Sequence, residues 1–291
     1  TAQTNTQTNI NSRRTLHNFV DPVTLKIQEL KAQGLSNDQI TAELEKLNMG
    51  WYPETGATWI GKPLTSEEIT KMPASISTNT YSKGKAALQQ NVALSSVTRT
   101  SSMRTTGSSW IGVGTEMVCG SMSVASGQTL RNYLCVQMGD LNGATNWAEV
   151  VVTHNYGETY KWLTFDPDDG AWINFGDKNT ATTAADTYVM LMDGTSDGYG
   201  YHYDVYINNQ WARHGHLANY YVQAGFQKEV SSDTGTFTND GSNAVFYRNW
   251  LNGGSSWSYW TSNGQWSSSL PVRESHSSGA LSYNWQTWVQ N

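Results

Sequence analysis

Charge is scarce in this chain. Asp, Glu, Lys and Arg make up 14% of its 291 residues, and the net charge is −6. No basic surplus exists to neutralise phosphates, so nucleic acid is not an expected partner. Apolar runs are short as well. None reaches 18 residues, which leaves no helix-type membrane span to expect. Cysteine is limited to Cys119 and Cys135. One bridge between neighbouring strands and two buried free thiols both fit that pair. No N-x-S/T sequon occurs, and the opening TAQTNTQTNI reads as a mature or trimmed start.

What the chain has instead is tryptophan and tyrosine, 13 and 15 against 6 phenylalanines, set among Ser, Thr, Asn and Gly. That mixture suits a secreted β-protein with aromatic-rich grooves. Residues 1–20 are polar and patternless and are expected to form a flexible arm. Helix signals then cluster over 21–73. Asp21-Pro22 is a cap followed by a first-turn proline. Ser36 with Gln39, and Thr65 with Glu68, form capping boxes. Residues 74–107, rich in Ser, Thr, Ala and Gln, have linker composition. From 108 to 291 the chain becomes short alternating runs between turn residues, such as YKWLTF, TYVMLM and YHYDVYI, which predicts a β-sandwich or barrel.

The two parts differ in charge. Residues 1–105 carry 11 Lys+Arg and 8 Asp+Glu, a net of +3, whereas 106–291 carry 7 and 16, a net of −9. Opposite signs favour docking of one part on the other.

Two strand-like segments each carry a conspicuous polar side chain. LCVQMG places Gln137 on the same face as Cys135, and AGFQKEV places Glu229 on the same face as Gln227. An amide and a carboxylate on facing strands can hold a water and a scissile carbonyl between them. Other polar features have plainer readings. His202 in YHYD and His214 and His216 in RHGH read as a turn with incidental histidines, and DPDDG (166–170) as a turn. No metal or other cofactor is expected. The tryptophans that crowd the last 42 residues read as packing mass before a sugar platform.

Taken in order, four segments resemble the eqolisin-type glutamic peptidases. SSWIGVG (108–114) resembles the family's W-[VI]-G-I-D-G, LCVQMG its L-Q-x-G, the stretch NWAEVVVTHNYGETYKWLTFDPDD its Trp/Tyr-rich W-x-E-W-Y-P region, and AGFQKEV its A-E-[FW]-x-x-E. Gly114 and Gly225 depart from the pattern, standing where the family has Asp and Glu. The resemblance implies a concanavalin-like two-sheet antiparallel β-sandwich, here preceded by a small α-helical N-terminal region. It further implies a secreted, acid-acting endopeptidase present as a proform, with residues 21–73 as intramolecular pro-region and 108–291 as catalytic domain. In that scheme Glu229 is general base, Gln137 stabilises the oxyanion, and Trp110, Trp162 and Phe226 contact a protein or peptide substrate. A carbohydrate-binding sandwich, and an extracellular filament protein whose N-terminal arm donates a strand, are the alternatives.

Overall fold

The computed structural model describes residues 21–70, 97–125, 130–143, 146–155, 157–169 and 171–291. The expected arm (1–20) and residues 71–96 of the expected pro-region and linker lie outside them. The described chain is mainly β, with two antiparallel sheets packed face to face and three helices near the N-terminus.

The local signals of the helical region act where they were read. In α1 (Pro22–Ala32) the Asp21 carboxylate accepts from the Thr24 amide at 2.6 Å. In α2 (Asn37–Lys46) both arms of the Ser36/Gln39 capping box close, and α3 (Ser66–Thr70) begins with the Thr65/Glu68 box. Each box satisfies amides that the first helical turn leaves without a partner.

The region is more than helical, however. It adds β1 (Met49–Trp51), β2 (Thr58–Ile60) and β3 (Lys62–Pro63). Hairpin β1–β2 extends one sheet by pairing β2 with β12 (Gln210–Leu217), and β3 extends the other by pairing with β9 (Ala171–Asp177). Gly61 joins β2 to β3 with φ +115°, and a Cβ there would strike the backbone carbonyl of Asn174. Only glycine permits that crossing. The helices bury Val23, Ile27, Leu30, Ile40 and Leu44 with Trp51 against Val189, Tyr206 and Trp211. The described lysine ion pairs of these helices, Lys26–Glu29 and Lys46–Glu43, stay within each helix. Apolar contact and strand pairing hold the region to the sheets, and Thr55 adds a side-chain hydrogen bond to Asp169.

One sheet also holds β5 (Gly112–Val118), β10 (Ala185–Ser196), β11 (Tyr201–Ile207), β14 (Ala244–Asn252), β15 (Trp257–Tyr259), β17 (Val272–Ser278) and β18 (Tyr283–Val289). The other runs β16 (Gly264–Ser268), β4 (Val97–Thr105), β13 (Gln223–Ser232), β6 (Leu130–Gly139), β7 (Trp147–Asn155), β8 (Lys161–Asp166), β9, β3. Strand β4 corrects the expected linker. VTRTSSMRT is rich in Thr, and its ladder with β13 spans eight residue pairs, Val97 to Arg104. Such a run enters a sheet although it lacks the apolar alternation that marks strands in sequence.

Between the sheets lies the main core, with Val136, Met138, Val150, Phe226, Phe246, Trp260 and Trp285. Trp250, Trp260 and Trp285 are all buried, in keeping with the packing role expected of the C-terminal tryptophans. Cys119 and Cys135 are both free and buried; Cys119 belongs to the inter-sheet core and Cys135 to a cluster on the opposite face of β6.

Candidate active site

Strands β6 and β13 are neighbours at the middle of the eight-stranded sheet. Alternation sends Leu134, Val136 and Met138 into the inter-sheet core, and Tyr133, Cys135 and Gln137 to the outer face. Register then decides which polar groups meet. Gln137 lies opposite Gly225 on β13 and opposite Glu149 on β7. Glu229 lies opposite Tyr133, four residues farther along the ladder. At 3.3–3.4 Å per residue the backbones of Gln137 and Glu229 are about 13 Å apart along the strands. The facing dyad expected of Gln137 and Glu229 is therefore not formed, although the two share a sheet face.

Gln137 is paired with a different carboxylate. Its Nε2 donates to Glu149 Oε1 at 2.7 Å, and the Trp147 indole N–H donates to the same oxygen at 2.8 Å. Both Gln137 and Glu149 are buried, and among the described residues neither Gln137 Oε1 nor Glu149 Oε2 has a donor. Burial raises the Glu149 pKa to about 6, against the lowering effect of its bonds from Gln137 and Trp147 and the charge of Arg104. Near-neutral titration makes Glu149 a proton acceptor matched to mildly acid conditions. One signal for it was present in sequence: WAE matches the W-x-E of the resembled motif, and Trp147, Glu149 and Val151 fall on one strand face.

Glu229 has a different setting. Its Oε2 accepts from the Tyr133 hydroxyl at 2.9 Å and from Gln227 Nε2 at 2.9 Å. Gln227 Oε1 in turn accepts from Arg104, whose other arm reaches the Leu141 carbonyl. Cys135 stands between the two carboxylates, and burial with the Glu149 and Glu229 charges pushes its thiol far up. It is held as a neutral thiol, unsuited to nucleophilic attack.

Gly225 explains part of this layout. A Cβ there would lie 2.9 Å from Arg104 Cγ and the Met103 carbonyl and 3.1 Å from Leu141 Cδ1. Arg104 and Leu141 thus crowd the space a longer residue at 225 would take. Gly225→Ala is expected to cost about 1–3 kcal/mol by overpacking, measured by chemical unfolding; a neutral result would mean that Arg104 moves aside freely.

The proposed substrate contacts need correction. Trp162 is buried in the inter-sheet core, its indole N–H donating to the Tyr188 hydroxyl at 2.9 Å. Phe226 is also in that core, stacked on Phe246 at 4.9 Å. Both alternate away from the face that carries Gln137, so neither touches a ligand bound there. Trp110 is half-buried, packed against the core and bridged to Val222.

The outer face is covered in part by the N-terminal region. Leu64 and Ile69 join Leu141, Trp147, Phe165 and Trp172 in one apolar cluster, and the Leu64 amide donates to the Trp172 carbonyl at 3.0 Å. Trp147 links this cluster directly to Glu149.

No protein-family model matches the sequence, and no curated protein does. Among solved structures the chain is similar to scytalido-glutamic peptidase with a transition-state analogue inhibitor, at TM-score 0.45 and 12% identity over 67% of this chain and 100% of that one. It is similar to SCP-B, a member of the eqolisin family of peptidases in complex with the tripeptide Ala-Ile-His, at 0.42 and 13% over 67% and 100%. It is also similar to carbohydrate-binding module CBM66 from Bacillus subtilis, at 0.24 and 10% over 47% and 74%. At these scores nothing about the site follows from the likeness.

Proposed function

We propose that the chain is a peptide-bond hydrolase of the glutamic type, with Glu149 rather than Glu229 as general base. The observation that carries this reading is the buried Gln137–Glu149 pair at 2.7 Å, with one acceptor on each partner left without a donor among the described residues. A water molecule has two O–H bonds and can donate one to each acceptor. Glu149 takes one proton as the water oxygen attacks the scissile carbonyl carbon. The carbonyl oxygen becomes an oxyanion and accepts from the second N–H of the Gln137 amide. Collapse of the tetrahedral intermediate breaks the C–N bond, and Glu149 returns its proton to the leaving amine.

A base with a pKa of about 6 works in mildly acid solution. Leu64 and Ile69 help keep the site dry, and their withdrawal would hydrate Glu149 and bring its pKa toward the ordinary 4.5. Removal of the N-terminal region would therefore open the site and shift its working range to lower pH. That is the behaviour of a proform, and secretion into an acid medium fits it.

The test is cleavage of a denatured protein after incubation at about pH 4, near the ordinary carboxylate pKa. Glu149→Gln is expected to slow cleavage about 10²–10⁴-fold, while Glu229→Gln keeps most of it. The reverse ranking would move the base to Glu229, and absence of cleavage by the unaltered protein would refute the hydrolase.

A further inference from the structure

The three histidines expected to sit in a turn occupy paired strands instead. His202 is on β11, His214 and His216 are on β12, and the register sets His202 opposite His216 and Asp204 opposite His214. Their ring centroids are 4.6–5.9 Å apart. One ring nitrogen from each lies within 4.8 Å of the others.

Each ring is held from its Nδ1 side. His216 Nδ1 is 2.7 Å from Asp169 Oδ2, His214 Nδ1 is 3.2 Å from Asp204 Oδ1, and His202 Nδ1 is 3.0 Å from the Thr195 hydroxyl. A carboxylate or hydroxyl accepting from Nδ1–H fixes the tautomer that leaves Nε2 as a lone-pair donor, the usual outer support of metal-bound imidazole. Asp197 lies beside two of the three rings. Its Oδ1 accepts from the Tyr199 amide at 2.7 Å, and its Oδ2 lies 3.3 Å from His202 Nε2 and 3.5 Å from His216 Nε2. Ligands bound tetrahedrally at 2.0–2.1 Å are about 3.3–3.4 Å from one another, so those two separations already match edges of such a tetrahedron.

Charge points the same way. Asp169, Asp193, Asp197 and Asp204 surround the three imidazoles, within 3.9 Å of a histidine nitrogen in every case. Four carboxylates about three imidazoles leave a local excess of negative charge that a divalent cation offsets.

We propose that His202, His214 and His216, with Asp197 as fourth ligand, bind a zinc ion on the outer face of the ten-stranded sheet. Imidazole with one carboxylate suits Zn²⁺ and excludes Mg²⁺ and Ca²⁺, which favour oxygen. The ion would fasten the turn between β10 and β11, which carries Asp197, to β12. DPDDG takes part through Asp169, which orients His216. The site is remote in register from Gln137 and Glu149, on a different sheet, and its role is structural.

The test titrates ZnCl₂ into the chelator-stripped full chain at about pH 7.5, where imidazole is neutral, with Co²⁺ as a spectroscopic stand-in. Expected are one tight site per chain and the intense visible absorption of tetrahedral Co²⁺. His202→Gln with His216→Gln should weaken Zn²⁺ binding at least about 100-fold, and Asp169→Asn about 10–100-fold. Circular dichroism checks that each variant is folded. If the double variant does not fold, Asp197→Asn, on an exposed turn, decides: about tenfold weaker binding supports the site and unchanged affinity overturns it. Absence of stoichiometric binding by the unaltered chain also overturns it, as does full binding by a folded double variant.

Discussion

Asp240→Ala is expected to destabilise the protein by about 3–5 kcal/mol, a fall of roughly 10 °C in Tm for a domain of this size. The carboxylate is a junction of four donors. Its Oδ2 lies 3.0 Å from Lys228 Nζ and accepts from the Val289 amide at 2.8 Å. Its Oδ1 accepts from Asn132 Nδ2 at 2.8 Å and from the Ser123 amide at 3.2 Å. Those donors come from β13, β18, β6 and the segment after β5, so one side chain ties both sheets together. Lys228 is wholly buried, and burial lowers its pKa despite the attraction of Asp240. Without Asp240 the ammonium keeps, among the described residues, Asn132 Oδ1 at 2.7 Å, and must be buried charged or lose its proton. Lys228→Met added to Asp240→Leu removes both charges and should recover much of the loss, since apolar replacement of a buried pair is often near neutral. Thermal unfolding of Asp240→Leu, Lys228→Met and the double variant gives the coupling. A loss below about 1 kcal/mol in Asp240→Ala would place the pair among weak surface ion pairs, contrary to its burial.

Glu149→Gln is expected to stabilise the fold at pH 8 by about 2 kcal/mol and to leave it unchanged at pH 4. In the folded protein the Glu149 pKa is about 6, against 4.5 as the ordinary value. Between those values the folded state binds more protons than the unfolded one. Stability from this group is therefore complete below 4.5, declines as pH rises through 6, and is lost above it. Asp166 acts in the same sense, lifted to about 7 by burial and by the Asp169 charge. His214 and His216 do too: burial lowers them, but Asp204 and Asp169 outweigh it and raise both, so their contribution is present in acid and fades as pH rises. Asp169, lowered chiefly by His216 against the effect of burial, opposes this trend. Unfolding midpoints at pH 4 and pH 8 for the unaltered protein and Glu149→Gln provide the measurement. An equal midpoint shift at both pH values would mean that Glu149 is not desolvated as its surroundings require. A carboxylate that costs stability at neutral pH is a feature expected of sites kept for chemistry.

Local signals are legible in the sequence, and strand pairings are not. Asp21, Ser36 and Thr65 start helices because each cap acts within three residues of itself. The sandwich was legible because alternation is a property of each strand alone. Which carboxylate faces Gln137 depends on register between strands, and neither LCVQMG nor AGFQKEV encodes it: β7 brings Glu149 opposite, and β13 offers Gly225. The same gap misassigned Phe226, whose place on the core face follows from alternation with Gln227 and Glu229 once the sheet's two faces are known. His202 and His214 are twelve residues apart in the chain, and only the β11–β12 ladder makes them neighbours.

The strand pairs that hold the N-terminal region have a further effect. Residues 49–63 finish an edge of each sheet, β2 on β12 and β3 on β9. Cutting the chain after this region would not by itself free it, because its backbone hydrogen bonds and apolar helices remain in place. Once it does leave, β12 and β9 both present bare N–H and C=O groups, and an open edge recruits another strand. Under the proposed function, loss of this region would trade an occluded site for two adhesive rims, which links exposure of the site to self-association.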